Sequence, residues 1–169
     1  MTTTITPLTP AQKRAAELVI QGLSNSEIAI EGCLSPDTVI FHITCMRQKL
    51  NCPPHASRPV LAHALLLHRQ VPTPSIPASR RKFTPNEDQQ KLLKAIAEHS
   101  KTAGIARAAG IAPAGIAPAD VKSLTKNLLS AAGVANSTQL VAWGHAMDLL
   151  GTNGQNAPGP SAARVGAAR

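Results

Sequence analysis

The 169-residue chain has no Tyr, two Phe and one Trp. Strand-forming aromatics are therefore thin, and no core can be built around stacked rings. Aliphatics must fill the interior, and the abundance of Ala, Leu, Gln and Lys favours helices. Acidic residues are also scarce, nine against 17 Lys and Arg, giving a net charge of +8 and a pI near 10.0. That balance suits a polyanion partner, although basic charge also serves solubility alone. Three cysteines, an odd number, with no secretory segment at the Thr-rich N-terminus, argue against a disulfide framework and for a reducing compartment. No apolar run approaches the roughly 20 residues of a membrane span, so the expected location is cytoplasmic, on the nucleoid if DNA is the partner. No carboxylate pair or nucleophile with a base stands out. The repeated GIAPA at 110–119 lacks the Lys-Ser/Thr ending of a phosphate loop, so the chain does not read as an enzyme and no cofactor is implied.

What is present is a succession of helix starts. Thr9 followed by Pro10 is an N-cap with proline in the first turn, and Ala15, Leu18 and Val19 line one face up to the stop at Gly22. Ser24 with Glu27 is a capping box opening a short helix through Glu31, after which Gly32 makes the turn. Ser35 and Pro36 open a third helix, in which Val39, Ile43, Met46 and Leu50 recur at helical spacing. After PPHAS, Pro59 opens a fourth, with Leu61, Ala64, Leu65 and His68 in one stripe.

Pro72, Pro74 and Pro77 cannot continue a helix and predict an extended basic linker over 72–82, separating a unit at 1–71 from one at 83–150 with its own core. The second unit repeats the order. Thr84, Pro85 and Glu87 read as cap, first-turn proline and capping acid, with Leu92, Leu93 and Ile96 inward. A short helix follows near Thr102–Ala109, then one at Asp120–Ala132 with Val121, Leu124, Leu128 and Ala131 inward, then one carrying Leu140, Val141, Trp143, Met147 and Leu150. Residues 151–169 show no period and read as a disordered tail. Charge is spread unevenly: 1–71 hold six basic residues against four acids, 72–82 three against none, 83–150 six against five, and 151–169 two against none.

The first unit resembles the LuxR-type (GerE-like) four-helix DNA-binding domain. The resemblance is carried by Leu8-Thr9-Pro10, Glu17-Leu18-Val19, Gly22-Leu23-Ser24-Asn25, Glu27-Ile28-Ala29, Ser35-Pro36, Thr38-Val39, His42-Ile43 and Lys49-Leu50. The second unit resembles it more weakly, with Ile105-Ala106 on Ile28-Ala29, Asp120-Val121 on Thr38-Val39, and Ala132-Gly133-Val134 on Leu50-Asn51-Cys52. The fold class this implies is all-α: two small four-helix helix-turn-helix domains in tandem, the second a diverged copy. The resemblance also implies a Lys after Thr38-Val39; the first unit has Ile40 and Phe41 there, whereas the second keeps Lys122.

By the same resemblance the chain is a sequence-specific regulator of transcription on double-stranded DNA. With seven residues ahead of Leu8, no sensor domain is expected. A helix-turn-helix lays its third helix in the major groove, where a few side chains read bases while others fix register on phosphates. The candidates are Asp37, Thr38, Phe41, His42, Thr44, Arg47 and Gln48, with Ser24, Asn25 and Ser26 for phosphates. In the second unit they are Lys122, Ser123, Lys126 and Asn127, and between the units Arg80, Arg81 and Lys82 follow the backbone or enter a minor groove. The two units either act as a covalent pseudo-dimer or each forms a homodimer through its fourth helix, with Leu65-Leu66-Leu67 and Trp143–Leu150 as the surfaces. Two other readings stand beside this one: units repurposed to contact RNA polymerase or another regulator, and a non-specific architectural binder relying on the basic arms. Cys33, His42, Cys45, Cys52 and His55 suggest zinc only weakly; Cys33 and Cys45 fit better as small buried groups. A lone Trp143 at helical spacing reads as core.

Overall fold

The computed structural model describes residues 5–77, 82–110 and 117–151, and every regular element longer than one residue among them is an α-helix. The first half comprises α1 (Pro10–Ile20), α2 (Asn25–Glu31), α3 (Pro36–Lys49) and α4 (Arg58–Leu67). The second comprises α5 (Glu87–Glu98), α6 (Thr102–Ala109), α7 (Pro118–Ala132) and α8 (Ser137–Ala146). Arg80 and Arg81, most of the GIAPA repeat and the tail from 152 lie outside the described residues.

In the first half the starts fall where their caps require. The Thr9 hydroxyl accepts from the Gln12 N–H at 3.3 Å while the Gln12 side chain accepts from the Thr9 N–H at 3.1 Å. Ser24 and Glu27 make the same reciprocal pair, and the Ser35 hydroxyl accepts from the Thr38 N–H at 3.1 Å. Each cap satisfies N–H groups that have no intrahelical partner. Gly22 takes φ +82 after α1, but Gly32 does not make the next turn alone: it stays right-handed at φ −84, and Cys33 enters the left-handed region at φ 51. As a result Cys33 is exposed, not buried as its type suggests.

The second half departs from expectation at its start. α5 is capped by Asn86, not Thr84, because Asn86 has Gln89 three residues on and forms a complete capping box. That shift places Glu87 and Asp88 in the first turn, beside the positive end of the helix dipole. α7 begins at Pro118, two residues before Asp120, and buries Ala132 in place of Ala131, since Val121, Leu128 and Ala132 continue one stripe. Helix ends repeat between the halves. After α3 the Cys52 N–H donates to the Arg47 carbonyl with Asn51 at φ 52; after α7 the Val134 N–H donates to the Leu129 carbonyl with Gly133 at φ 66. After α4 and α8 the pattern recurs with Arg69 and Asp148 left-handed. These are backbone closures that satisfy the last carbonyls.

The prolines of the linker separate the chain but not the interior. One buried cluster runs from Val19, Ile28, Met46 and Leu65 in the first half to Leu93, Leu128, Leu140 and Trp143 in the second. The expectation of two separate cores is therefore corrected: α4 packs along α8, α1 also touches α8, and α5 touches α4. Both fourth helices are mostly apolar, and each covers the other's face, which neither short half could hide alone. Polar bonds pin the seam. Asn136 Nδ2 donates to the Gly22 carbonyl at 3.1 Å and Gln139 Nε2 to the Gln21 carbonyl at 2.7 Å. From the other side the Ser57 N–H donates to the Ser100 hydroxyl at 2.8 Å. His63 Nδ1 and His145 Nε2 meet at 2.9 Å, and Trp143 is buried with its ring 5.7 Å from that of Phe83.

Candidate nucleic-acid interface

The corner between α2 and α3 is built by burial. Ile28 and Ala29 on α2 and Val39, Ile43 and Met46 on α3 point inward, leaving the opposite face of α3 in solvent. Two long-range ties hold the corner in the domain. Arg58, the first residue of α4, donates to the Leu23 carbonyl and to Asn25 Oδ1, so it clamps the entry of α2. Lys49 at the end of α3 donates to the Pro7 carbonyl at 3.2 Å and to Gln12 Oε1 at 2.9 Å, securing the far end of the helix to the start of α1. Burial lowers the Arg58 pKa, the nearby Arg47 charge lowers it further, and Glu27 opposes both; at neutral pH Arg58 remains a cation. The Glu27 carboxyl is held below its ordinary value by hydrogen bonds from Ser24.

Of the first-unit candidates, Asp37, Phe41, Thr44 and Gln48 lie exposed on α3. Ile40 joins them at 50% exposure, and Phe41 reaches 63%. Several candidates are less free than the pattern suggests. Thr38 is half-buried and its hydroxyl pairs with Ser35 at 2.8 Å. The Thr44 hydroxyl donates back to the Ile40 carbonyl at 2.9 Å, which leaves its methyl and lone pairs outward. His42 and Arg47 are half-buried, with Nδ1 and Nε withdrawn from solvent, because they flank the inward Val39-Ile43-Met46 stripe. Ser24 is engaged as a cap, Asn25 is held by Arg58, and Ser26 is exposed.

In the second unit Lys122, Ser123, Lys126 and Asn127 are all exposed on α7. They sit opposite the inward Val121, Leu128 and Ala132. Lys82 is exposed at the foot of α5. Sequence reasoning missed two residues. Arg58 carries no local signal, because its partners lie on another helix; Ile30, 78% exposed at the end of α2, was legible as an apolar residue off the Ile28-Ala29 face. Among the described residues no group of three His, Cys, Asp or Glu is placed to hold a metal ion, and no helix is long and apolar enough to cross a membrane. Cys45 and Cys52 are half-buried, and burial raises the Cys52 thiol pKa against the pull of Arg47.

Neither a curated protein nor a solved structure matches the chain. Residues 6–64 match the family model described as bacterial regulatory proteins, luxR family, a span that covers α1, α2, α3 and most of α4. With α2 and α3 forming the corner described above, this segment is similar to the helix-turn-helix of luxR-family bacterial regulatory proteins.

Proposed function

We propose that the protein is a sequence-specific regulator that binds duplex DNA through α3 and through α7, the latter belonging to a diverged second copy of the first unit. The observation that carries the reading is the solvent-facing row Asp37, Phe41, Thr44 and Gln48 on the third helix of a segment that matches a DNA-binding family. Units at 1–71 and 83–150 are supported by the paired closures after α3 and α7 and after α4 and α8. Phosphate contacts by Lys82, Lys122, Lys126 and Ser26 would set register, and side chains early in α3 and α7 would read base edges. A gel-shift assay with genomic fragments tests this: a subset is retained under excess non-specific competitor, and affinity falls steeply with salt. No retained fragment at low salt overturns it.

One observation favours a second reading. Ile30, Ile40 and Phe41 expose apolar surface that water disfavours, which suits a protein partner such as RNA polymerase. That reading predicts that Phe41→Ser removes polymerase binding and leaves the gel shift intact.

A further inference from the structure

The contacts between the two halves exchange when the halves are exchanged. α4 lies on α8; α1 touches α8 as α5 touches α4. The cross-bonds join corresponding places: the Asn136 side chain, at the cap of α8, donates to the Gly22 carbonyl in the α1–α2 turn, and the Ser57 backbone N–H, at the cap of α4, donates to the Ser100 hydroxyl in the α5–α6 turn. Two subunits about a twofold axis make contacts in this order. The pairing is not self-complementary in detail. The matched closures at Arg69 and Asp148 align His63 with Ala142 and His145 with Leu66. A second copy pairing α4 with α4, or α8 with α8, would therefore lose the His63–His145 contact. Most of the surface through which either unit would dimerise, Leu65, Leu66 and Trp143 to His145, is already buried, while Leu67 stays exposed.

The two reading helices that this pairing presents are chemically unlike. At the position where α7 has Lys122, α3 has Ile40; where α7 has Ser123, α3 has Phe41; where α7 has Lys126, α3 has Thr44. All six are exposed. In the major groove apolar side chains contact thymine methyls, Lys meets the O6 and N7 acceptors of guanine, and Asn pairs with adenine. Resting on the DNA-binding reading above, we propose that a single chain, as a monomer, reads a non-palindromic site of two unlike half-sites: one thymine-rich under α3, the other containing guanine under α7.

The test is selection of bound duplexes from a random pool by the full chain, followed by the mass of the complex on a selected duplex. The expected result is a bipartite motif with unlike halves and one chain per duplex. Ile40→Lys with Phe41→Ser should relax the thymine half alone, and Lys122→Ala with Lys126→Ala the other half alone, each by roughly tenfold in preference. A palindromic motif bound by two chains, a motif with one half, or variants that both alter the same half would overturn the proposal while leaving DNA binding in place. No enriched motif from a chain whose circular dichroism is helical would overturn the proposal together with the reading beneath it.

Discussion

α3 and α7 are each the third helix of their half and differ in opposite respects. α3 begins with a side-chain cap from Ser35 and is tied at its far end by Lys49, yet its outward face carries Ile40 and Phe41. α7 begins at Ala117 with no side-chain cap, yet its outward face carries Lys122 and Lys126. The inward stripes match nonetheless, Val39 and Met46 against Val121 and Leu128. The difference shows that the residues packing a helix in place and those on its outward face vary independently. In α3 the match to the family model coexists with an outward face that carries Ile40 and Phe41.

The comparison breaks most severely if the two halves do not fold together. Met46 and Leu128 are both buried in the shared cluster, so Met46→Ala and Leu128→Ala should each cost about 2–5 kcal/mol. Urea unfolding followed by circular dichroism should show one transition moving in both variants. A second transition, displaced by one substitution alone, would mean that the halves are independent.

Charge on the reading faces is the next lever. Lys122→Glu with Lys126→Glu should weaken DNA binding roughly a hundredfold and lower the log–log salt slope by about two. Asp37→Lys in α3 should move affinity the other way. Titrations by fluorescence anisotropy at several salt concentrations measure both, and equal insensitivity in α7 would show that it does not face phosphates.

Acid acts on the seam between the halves. Burial holds His145 down to about 4, with the His63 charge adding to the effect. Burial also lowers His63, and there Glu98 opposes while His68 and Lys94 reinforce. The unfolded chain takes up these protons near the ordinary pKa of about 6.5 and the folded chain only lower. Stability is therefore full above about pH 6.5 and declines as pH falls toward 4. Urea midpoints measured across that range should trace the decline, and His145→Gln should flatten it; an unchanged slope would remove the histidine pair as its source.

The smallest expected effect sharpens the contrast in caps. Ser35→Ala should cost about 1 kcal/mol, and Ala117→Ser should add a few tenths of a kcal/mol or more if the new hydroxyl accepts from the Asp120 N–H. Thermal melts resolve the sign in each case.

The first half was legible because its signals are local. Thr9 with Pro10, Ser24 with Glu27, and Ser35 with Pro36 set their helix starts within four residues. Asn86 was missed as the α5 cap because Thr84-Pro85 imitated the α1 opening, and capping depends on which candidate has its reciprocal partner three residues on. The shared core was illegible for a different reason. Prolines at 72, 74 and 77 report that the chain is extended there, but nothing local states that the apolar stripe of α4 meets that of α8. On α3 and α7, periodicity put Phe41, Lys122 and Lys126 on outward faces, and all three are exposed. It could not show that Arg58 clamps Asn25, or that His42 and Arg47 turn partly inward, because these depend on contacts across the fold.

On the proposed reading, joining the two halves in one chain also changes how occupancy responds to abundance. Subunits that pair from solution fill an operator, at low concentration, with the square of their number. When α4 finds α8 in its own chain, the effective concentration of the partner is on the order of millimolar whatever the cell contains. An operator read by such a chain fills in direct proportion to the number of molecules, without a threshold.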